Sequence, residues 1–504
     1  MVAVSQSAGR RLLTAGLDVG TTSVKAVAVD EEGRVVARSR RPSRLVVGPG
    51  RFEHDALETW WQAPRLVLEE VAAASGARGA GELAAVAVSA MMPSVGAVDA
   101  AGRPTGPGLL YGDGRGAPVS GPGPGGGDPT ASDEMARLAG WVAADAPGAD
   151  GYWPAQGVAN ASLGGRGVID LASAFAAGPL YDGSGWSGDV CAGAGLSVGQ
   201  LPEVAVFGER VGQLAPDVLG SAAGGGHDVV LAAGSVDGLC EQLVAGAVED
   251  GDVLVMLGST LVVWLCVPGW PSVPTGLWRV PHLVGGKAMV GGASNAGGMW
   301  VDWADRVLRP TGASGPGGAG SGGAGSGASW PDARGDGGLR PGGVPVWWPW
   351  AKGERVPWHD PALRVSLAGA DLSQGPEALR RAALEATGFV VRNISELAAA
   401  SGTPVKRYIV SGGGTANMDW LRALADVLGA PVLPLAVPEG AALGAAYLAR
   451  MALGLERSMD DAARWARWSG PVEPDPSWSG AADERYHLWL AGLPEVPALP
   501  GLEG

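Results

Sequence analysis

Leu17-Asp18-Val19-Gly20-Thr21-Thr22-Ser23-Val24-Lys25 is the stretch on which the fold turns. An apolar strand, Leu12 to Val19, runs into the tight turn Gly20-Thr21-Thr22-Ser23, and a Val-rich strand, Val24 to Asp30, leads out of it. Glu32-Gly33 turns into a third strand, Arg34 to Ser39, so the chain opens as a β-meander. The turn carries chemistry as well as shape. Gly20 lets the main chain approach a phosphate, successive N–H groups form an anion nest, and the Thr21 and Thr22 hydroxyls donate further hydrogen bonds. Lys25 adds a point charge, and Asp18, at the strand end, is placed to hold a magnesium ion through water. A bare Gly-Thr-Thr also suits an ordinary hairpin turn. The Asp two residues before the Gly, and a second turn of the same kind further on, weigh against that reading.

The second turn is Gly258-Ser259-Thr260, entered by the strand Asp252 to Leu257 and left by the strand Leu261 to Val267. It sits about half a chain beyond the first, so two similar lobes with a boundary near residues 235–250 is the economical reading. We place the lobes at residues 1–240 and 241–504. Between the two turns, Val229-Val230-Leu231 leads into Gly234-Ser235-Val236-Asp237 and a helix. An Asp at such a junction is where α/β lobes keep functional groups, and Asp is equally a preferred helix N-cap. Later, Val410-Ser411-Gly412-Gly413-Gly414-Thr415-Ala416-Asn417 is a strand, a Gly run and a helix start, which allows a planar base or a phosphate to lie against the backbone. Strand and helix alternate through both halves, which indicates α/β lobes.

Composition narrows the function classes. Of 504 residues, 85 are Gly and 38 Pro, yet 46% are hydrophobic and only 17% charged, so the chain folds rather than staying disordered. A net charge of −15 argues against a general nucleic-acid binder. Three widely spaced cysteines indicate neither a disulfide framework nor a zinc cluster, and a cytoplasmic setting fits. The polar start, Met1 to Arg11, and the interrupted apolar stretch Val253 to Val267 give no expectation of a membrane span. Residues 311–329 are Gly/Ala/Ser repeats and read as a flexible loop.

Together these pieces resemble the FGGY family of carbohydrate kinases along nearly the whole chain. Asp18 to Lys25 is similar to the family's first phosphate loop, and Met256 to Thr260 to its second. Gly50-Arg-Phe-Glu-His-Asp with Trp60-Trp61 resembles its Gly-x-x-Glu-x-Asp…Trp-Trp segment, and Tyr111-Gly-Asp113-Gly-Arg115 its sugar-facing Trp-Asn-Asp-x-Arg element. Asp237 falls where the family places its catalytic base. Trp350-Ala-Lys-Gly-Glu-Arg-Val-Pro357 is similar to its Tyr-x-x-Gly-Glu-Arg-x-Pro run, Gly412 to Asn417 to its adenosine loop, and Glu439-Gly-Ala-Ala-Leu-Gly-Ala-Ala to its closing helix. The resemblance implies an α/β fold of two actin-like ATPase (ribonuclease H-like) lobes with an interdomain cleft, and ATP and Mg²⁺ as cofactors. It assigns Gly20, Thr21, Thr22, Lys25, Gly258, Ser259, Thr260, Gly412, Gly413, Gly414 and Asn417 to ATP, Asp18 to the metal, and Met91, Asp113, Arg115 and Asp237 to a sugar or polyol such as xylulose. No nucleic-acid or membrane partner is implied, and a homodimer is left open.

Where many members read Gly-Gln-Met-His, this chain has Ala90-Met91-Met92-Pro93, which removes two hydrogen-bonding side chains from the acceptor side. That departure keeps a rival reading alive, a sensor that binds ATP and sugar without turnover. A motor-type or chaperone-type ATPase is a further rival, set against the sugar-facing Asp113-x-Arg115. Deleting residues 311–329 is expected to leave the melting temperature within experimental error, because long surface loops add little closure entropy. A thermal melt of the shortened chain checks this.

Overall fold

The computed structural model describes residues 11–116, 134–220, 228–282, 285–308 and 339–496. The segment 311–329, Met1 to Arg10 and residues 117–128 lie outside the described residues. Two compact units form, one from Met1–Val244 with Glu439–Trp465 and one from Ala245–Pro438 with Ala466–Gly504. A single division at 240/241 does not include the return of residues 439–465 to the first unit.

In the first unit, β1 (Leu12–Val19), β2 (Ser23–Val29), β3 (Val35–Pro42), β4 (Glu82–Ala90), β5 (Arg210–Gln213) and β6 (Val230–Ala232) make one sheet in the order β5-β6-β4-β1-β2-β3. The meander β1-β2-β3 is antiparallel, while β4 runs parallel to β1 and β6 parallel to β4. Leu13 to Val19 are all buried, the near-continuous apolar run expected of a strand covered on both faces.

The second unit repeats the plan. β7 (Asp252–Leu257), β8 (Leu261–Pro268), β9 (Trp278–Pro281), β10 (Lys287–Ser294), β11 (Arg407–Ser411) and β12 (Val432–Pro434) are ordered β9-β10-β8-β7-β11-β12. Again three strands are antiparallel and two more follow in parallel, so β10-β8-β7-β11-β12 matches β3-β2-β1-β4-β6 in order and sense. The sixth strand differs: β5 extends the parallel edge, β9 the antiparallel one.

Pro64 lies in the first turn of the helix Ala63–Ala77, and a wide π-helical turn, Leu57–Gln62, leads directly into it. In the second unit the helices Pro376–Ala399, Met418–Leu428 and Pro476–Ala491 are joined by a buried charge cluster. Glu385 accepts from Arg381 at 2.8 Å and from Arg485 at 2.7 Å, and Arg381 reaches Asp426 at 2.8 Å. Two cations and two anions balance.

The returning helix Gly440–Ala452 lies on β1. A Cβ at Gly16 would stand 1.8 Å from the Ala442 carbonyl oxygen and 2.5 Å from the Ala446 nitrogen, and one at Gly444 would stand 1.9 Å from the Cys240 carbonyl oxygen. Main chain therefore meets main chain on both sides of this helix. Gly16→Ala is expected to destabilise the protein by about 1–3 kcal/mol or more, the range for overpacking, because backbone cannot rotate away as a side chain can. Gly212→Ala, whose added methyl meets nothing within 4 Å, serves as the control in a denaturant titration.

Candidate active site

Three chain segments of the first unit end side by side. Val19 pairs with Ala90 across β1 and β4, and Ala90 makes a parallel bridge to Val236 beyond β6. The residues that follow are Gly20, Met91 and Asp237, at the carboxyl ends of neighbouring parallel strands, where α/β sheets keep their ligands. The second unit repeats this with Met256 opposite Ser411, which brings the Gly258-Ser259-Thr260 turn and the Gly412 run together.

In the first turn, Gly20 N–H donates to the Ser23 carbonyl at 3.1 Å and the Ser43 hydroxyl to the Gly20 carbonyl at 3.0 Å. Asp18 and Lys25 face each other across β1 and β2 and pair at 3.2 Å. The nearby Asp18 carboxylate is the main reason the Lys25 ammonium is held above its ordinary pKa. Asp18 Oδ2 is used in that pair, whereas Oδ1 is buried with no hydrogen-bond partner.

Thr21 is held from two sides. Its hydroxyl shares a 2.7 Å hydrogen bond with the Tyr111 hydroxyl, and its carbonyl accepts from His54 Nε2 at 2.7 Å. Trp60 Nε1–H donates to His54 Nδ1 at 2.9 Å. An indole can only donate and a carbonyl can only accept, so the proton of His54 is on Nε2. Burial pushes this imidazole down to about 4.

Asp113 is fully engaged. One oxygen accepts from the Arg115 main-chain N–H at 3.0 Å and Nε at 2.9 Å, the other from the Phe52 N–H at 2.7 Å and Arg115 Nη2 at 2.7 Å. Burial opposes its ionisation, but the Arg115 and Phe52 hydrogen bonds outweigh that and hold the carboxyl below its usual range. Arg115 also pairs with Glu53 and stacks 4.4 Å over the Trp141 ring. Asp113 thus fixes Arg115, which keeps some exposure. Met91 is buried, its N–H donating to the Val19 carbonyl at 3.2 Å.

Asp237 opens the helix Asp237–Ala245, its Oδ1 accepting from the Gly238 N–H at 2.8 Å. In the second unit, Gly258 N–H donates to the Thr260 carbonyl at 3.0 Å, and the helix Gly298–Leu308 docks on the turn through Gly298 N–H to the Gly258 carbonyl at 2.8 Å. Gly412 has φ +87°, and a Cβ there would stand 2.7 Å from the Leu257 carbonyl oxygen, so this position requires glycine. Asn417 caps the helix Met418–Leu428, accepting from the Trp420 N–H at 3.2 Å. His54 and Tyr111 were not among the site residues expected from sequence. Their only signal was membership of the two motif segments, Gly50–Asp55 and Tyr111–Arg115.

Residues 13–121 match the profile described as FGGY family of carbohydrate kinases, N-terminal domain, and residues 283–453 match that family's C-terminal domain. Xylulose kinase of Bacillus subtilis (strain 168) is 28% identical over 59% of this chain, an alignment that spans only 57% of that protein. Glycerol kinase 2 of Streptomyces avermitilis is 26% identical over 94% of this chain and 95% of that protein. The crystal structure of xylulose kinase from Rhodospirillum rubrum superposes with a TM-score of 0.71 at 25% identity, covering 95% of this chain and 98% of that one. The actin-like ATPase fold is therefore the fold of this chain.

His54 makes stability depend on pH. Its folded pKa lies below the unfolded value of 6.5, so between about pH 6.5 and 4 the unfolded chain binds the extra proton and stability falls as pH falls. The full loss is about 3 kcal/mol, at about 1.4 kcal/mol per pH unit. His54→Gln, which keeps a donor for Thr21 and has no proton to gain, is expected to flatten this limb in urea titrations across the pH series.

Proposed function

We propose, from the premise that this chain belongs to the FGGY family of carbohydrate kinases, that it transfers the γ-phosphoryl of ATP to a hydroxyl of a ketopentose such as xylulose. As a family member it is a phosphotransferase with an alcohol group as acceptor. The observation that carries the assignment of roles is the alignment of Gly20, Met91 and Asp237 at adjoining strand ends.

Phosphoryl transfer asks a protein for in-line placement and charge neutralisation more than for covalent help. In this reading the Gly20–Ser23 and Gly258–Thr260 turns meet the phosphates with main-chain N–H groups and hydroxyls, and the Gly412–Asn417 run meets the adenosine. Asp237 accepts the proton of the acceptor hydroxyl as its oxygen bonds to the γ-phosphorus and the bond from that phosphorus to the bridging oxygen of ADP breaks. Arg115, held by Asp113 and Glu53, is the acceptor-side hydrogen-bond donor.

A magnesium ion fits the residues present. Asp18 offers one buried oxygen without a partner, and among the described residues no cluster of three metal-ligating side chains exists. One carboxylate with phosphates and water completing the shell is how Mg²⁺ is usually held, and the bound ion would neutralise phosphate charge. The acidic chain needs no basic patch for this. Among the described residues no helix is long and apolar enough to cross a membrane.

The full engagement of Asp113 and the buried Met91 favour one second reading, a protein that binds ATP and sugar without turnover. A coupled ADP-release assay with xylulose and glycerol separates the two. Asp237→Asn is expected to lower kcat by about 10²–10⁴-fold, the usual contribution of a general base, with nucleotide affinity retained in a calorimetric titration. Unchanged turnover would remove Asp237 from the reaction.

A further inference from the structure

Asp170 is a fully buried carboxylate that no step of the reaction uses. It ends the short strand Val168–Asp170 and caps the five-residue helix Leu171–Phe175, one oxygen accepting from the Ala172 N–H at 2.8 Å and the Ser173 N–H at 3.3 Å. Capping alone does not account for its burial. A cap contributes about 1 kcal/mol and works as well at the surface, while burying a carboxylate without a cation costs more. Among the described residues no Lys or Arg pairs with it, and burial pushes its pKa up against hydrogen bonds from Ser173 and Ser235.

The fourth bond to its carboxylate supplies the reason. Ser235 Oγ–H donates to Asp170 Oδ1 at 2.8 Å, and Ser235 stands two residues before Asp237 in the connection from β6. The Asp170 N–H donates to Gln156 Oε1 at 3.0 Å, and Gln156 Nε2–H donates to the Val88 carbonyl of β4 at 3.0 Å. Gly234 approaches that same carbonyl: a Cβ there would stand 2.0 Å from the Val88 oxygen. Val88, Gln156, Asp170, Ser235 and Gly234 therefore close a buried ring around the turn, and Cys240 Sγ–H, at 3.7 Å from the Ser235 carbonyl, holds it from the helix side. The turn cannot shift without breaking a buried hydrogen bond.

We propose that Asp170 is a positioning residue, acting through the Ser235 hydroxyl to set the turn that aims Asp237. This rests on the reading of Asp237 as the base. The test is Ser235→Ala in two backgrounds, assayed with whichever of xylulose and glycerol the unmodified protein phosphorylates. In the unmodified background it is expected to lower kcat by about ten- to a hundredfold, the cost of misplacing a reacting group by up to about 1 Å, with KM for ATP within about twofold. In the Asp237→Asn background it is expected to lower the residual rate no further, because the group it aims is gone. Asp170→Asn, which turns one acceptor into a donor, should repeat this pattern. An unchanged kcat, or an equal fall in both backgrounds, would overturn the proposal. If neither acceptor is phosphorylated, the kinase reading fails separately. Hydrogen exchange then decides: faster exchange confined to residues 234–238 in Ser235→Ala supports the positioning role, and unchanged exchange rejects it.

Discussion

The first unit depends on a contact in which no side chain takes part. At Gly16 the helix Gly440–Ala452 touches the backbone of β1, and at Gly444 it touches the backbone of the helix Asp237–Ala245. Side chains in a core can adjust by changing rotamer, whereas two apposed main chains leave no such freedom. This helix acts as a spacer of fixed thickness. On one side it sets the strand that carries Asp18 and runs into the first turn, and on the other the helix that begins with Asp237. The buried ring around Ser235 then refines an orientation that backbone packing has already set coarsely.

Charge is handled in a related way. The chain carries a net charge of −15, and two of the cations assigned to the site are already paired, Lys25 with Asp18 and Arg115 with Asp113 and Glu53. Paired groups keep their orientation before any ligand arrives, so little reorganisation is left for the moment of reaction. In the second unit the Arg381, Glu385, Asp426 and Arg485 cluster balances itself and works as a joint between three helices. Pairing holds direction in one place and rigidity in the other.

Local features were legible in the sequence where one segment carries its own signal. The run Leu12 to Val19 is apolar but for Thr14 and Asp18, and its strand begins and ends where the pattern says. The doubling of the Gly-hydroxyl turn foretold the doubling of the sheet. What sequence could not supply were relations between segments far apart. Asp113 and Phe52 are 61 positions apart, and Ser235 and Asp170 are 65, so no spacing rule links them. The return of residues 439–465 to the first unit likewise has no local mark, since an Ala-rich helix packs as well on either sheet. Glycine abundance hid a distinction the structure makes plain. Gly412 and Gly414 are pressed against Leu257, while Gly413 faces open space, although the three look alike in sequence.

That return also fixes an order of events on the ribosome. β1 is made well before the helix that covers it, which emerges only after residues 245–438 have been synthesised. At about 5–20 residues per second, the apolar face of β1 waits on the order of 20–90 s for its cover, since synthesis must run from Val19 to Ala452. The second unit, whose sheet strands all precede that helix, can build its sheet first. The nascent chain therefore carries an unfinished first half while its second half is taking shape, and this half-built stage is where a chaperone would have most to protect.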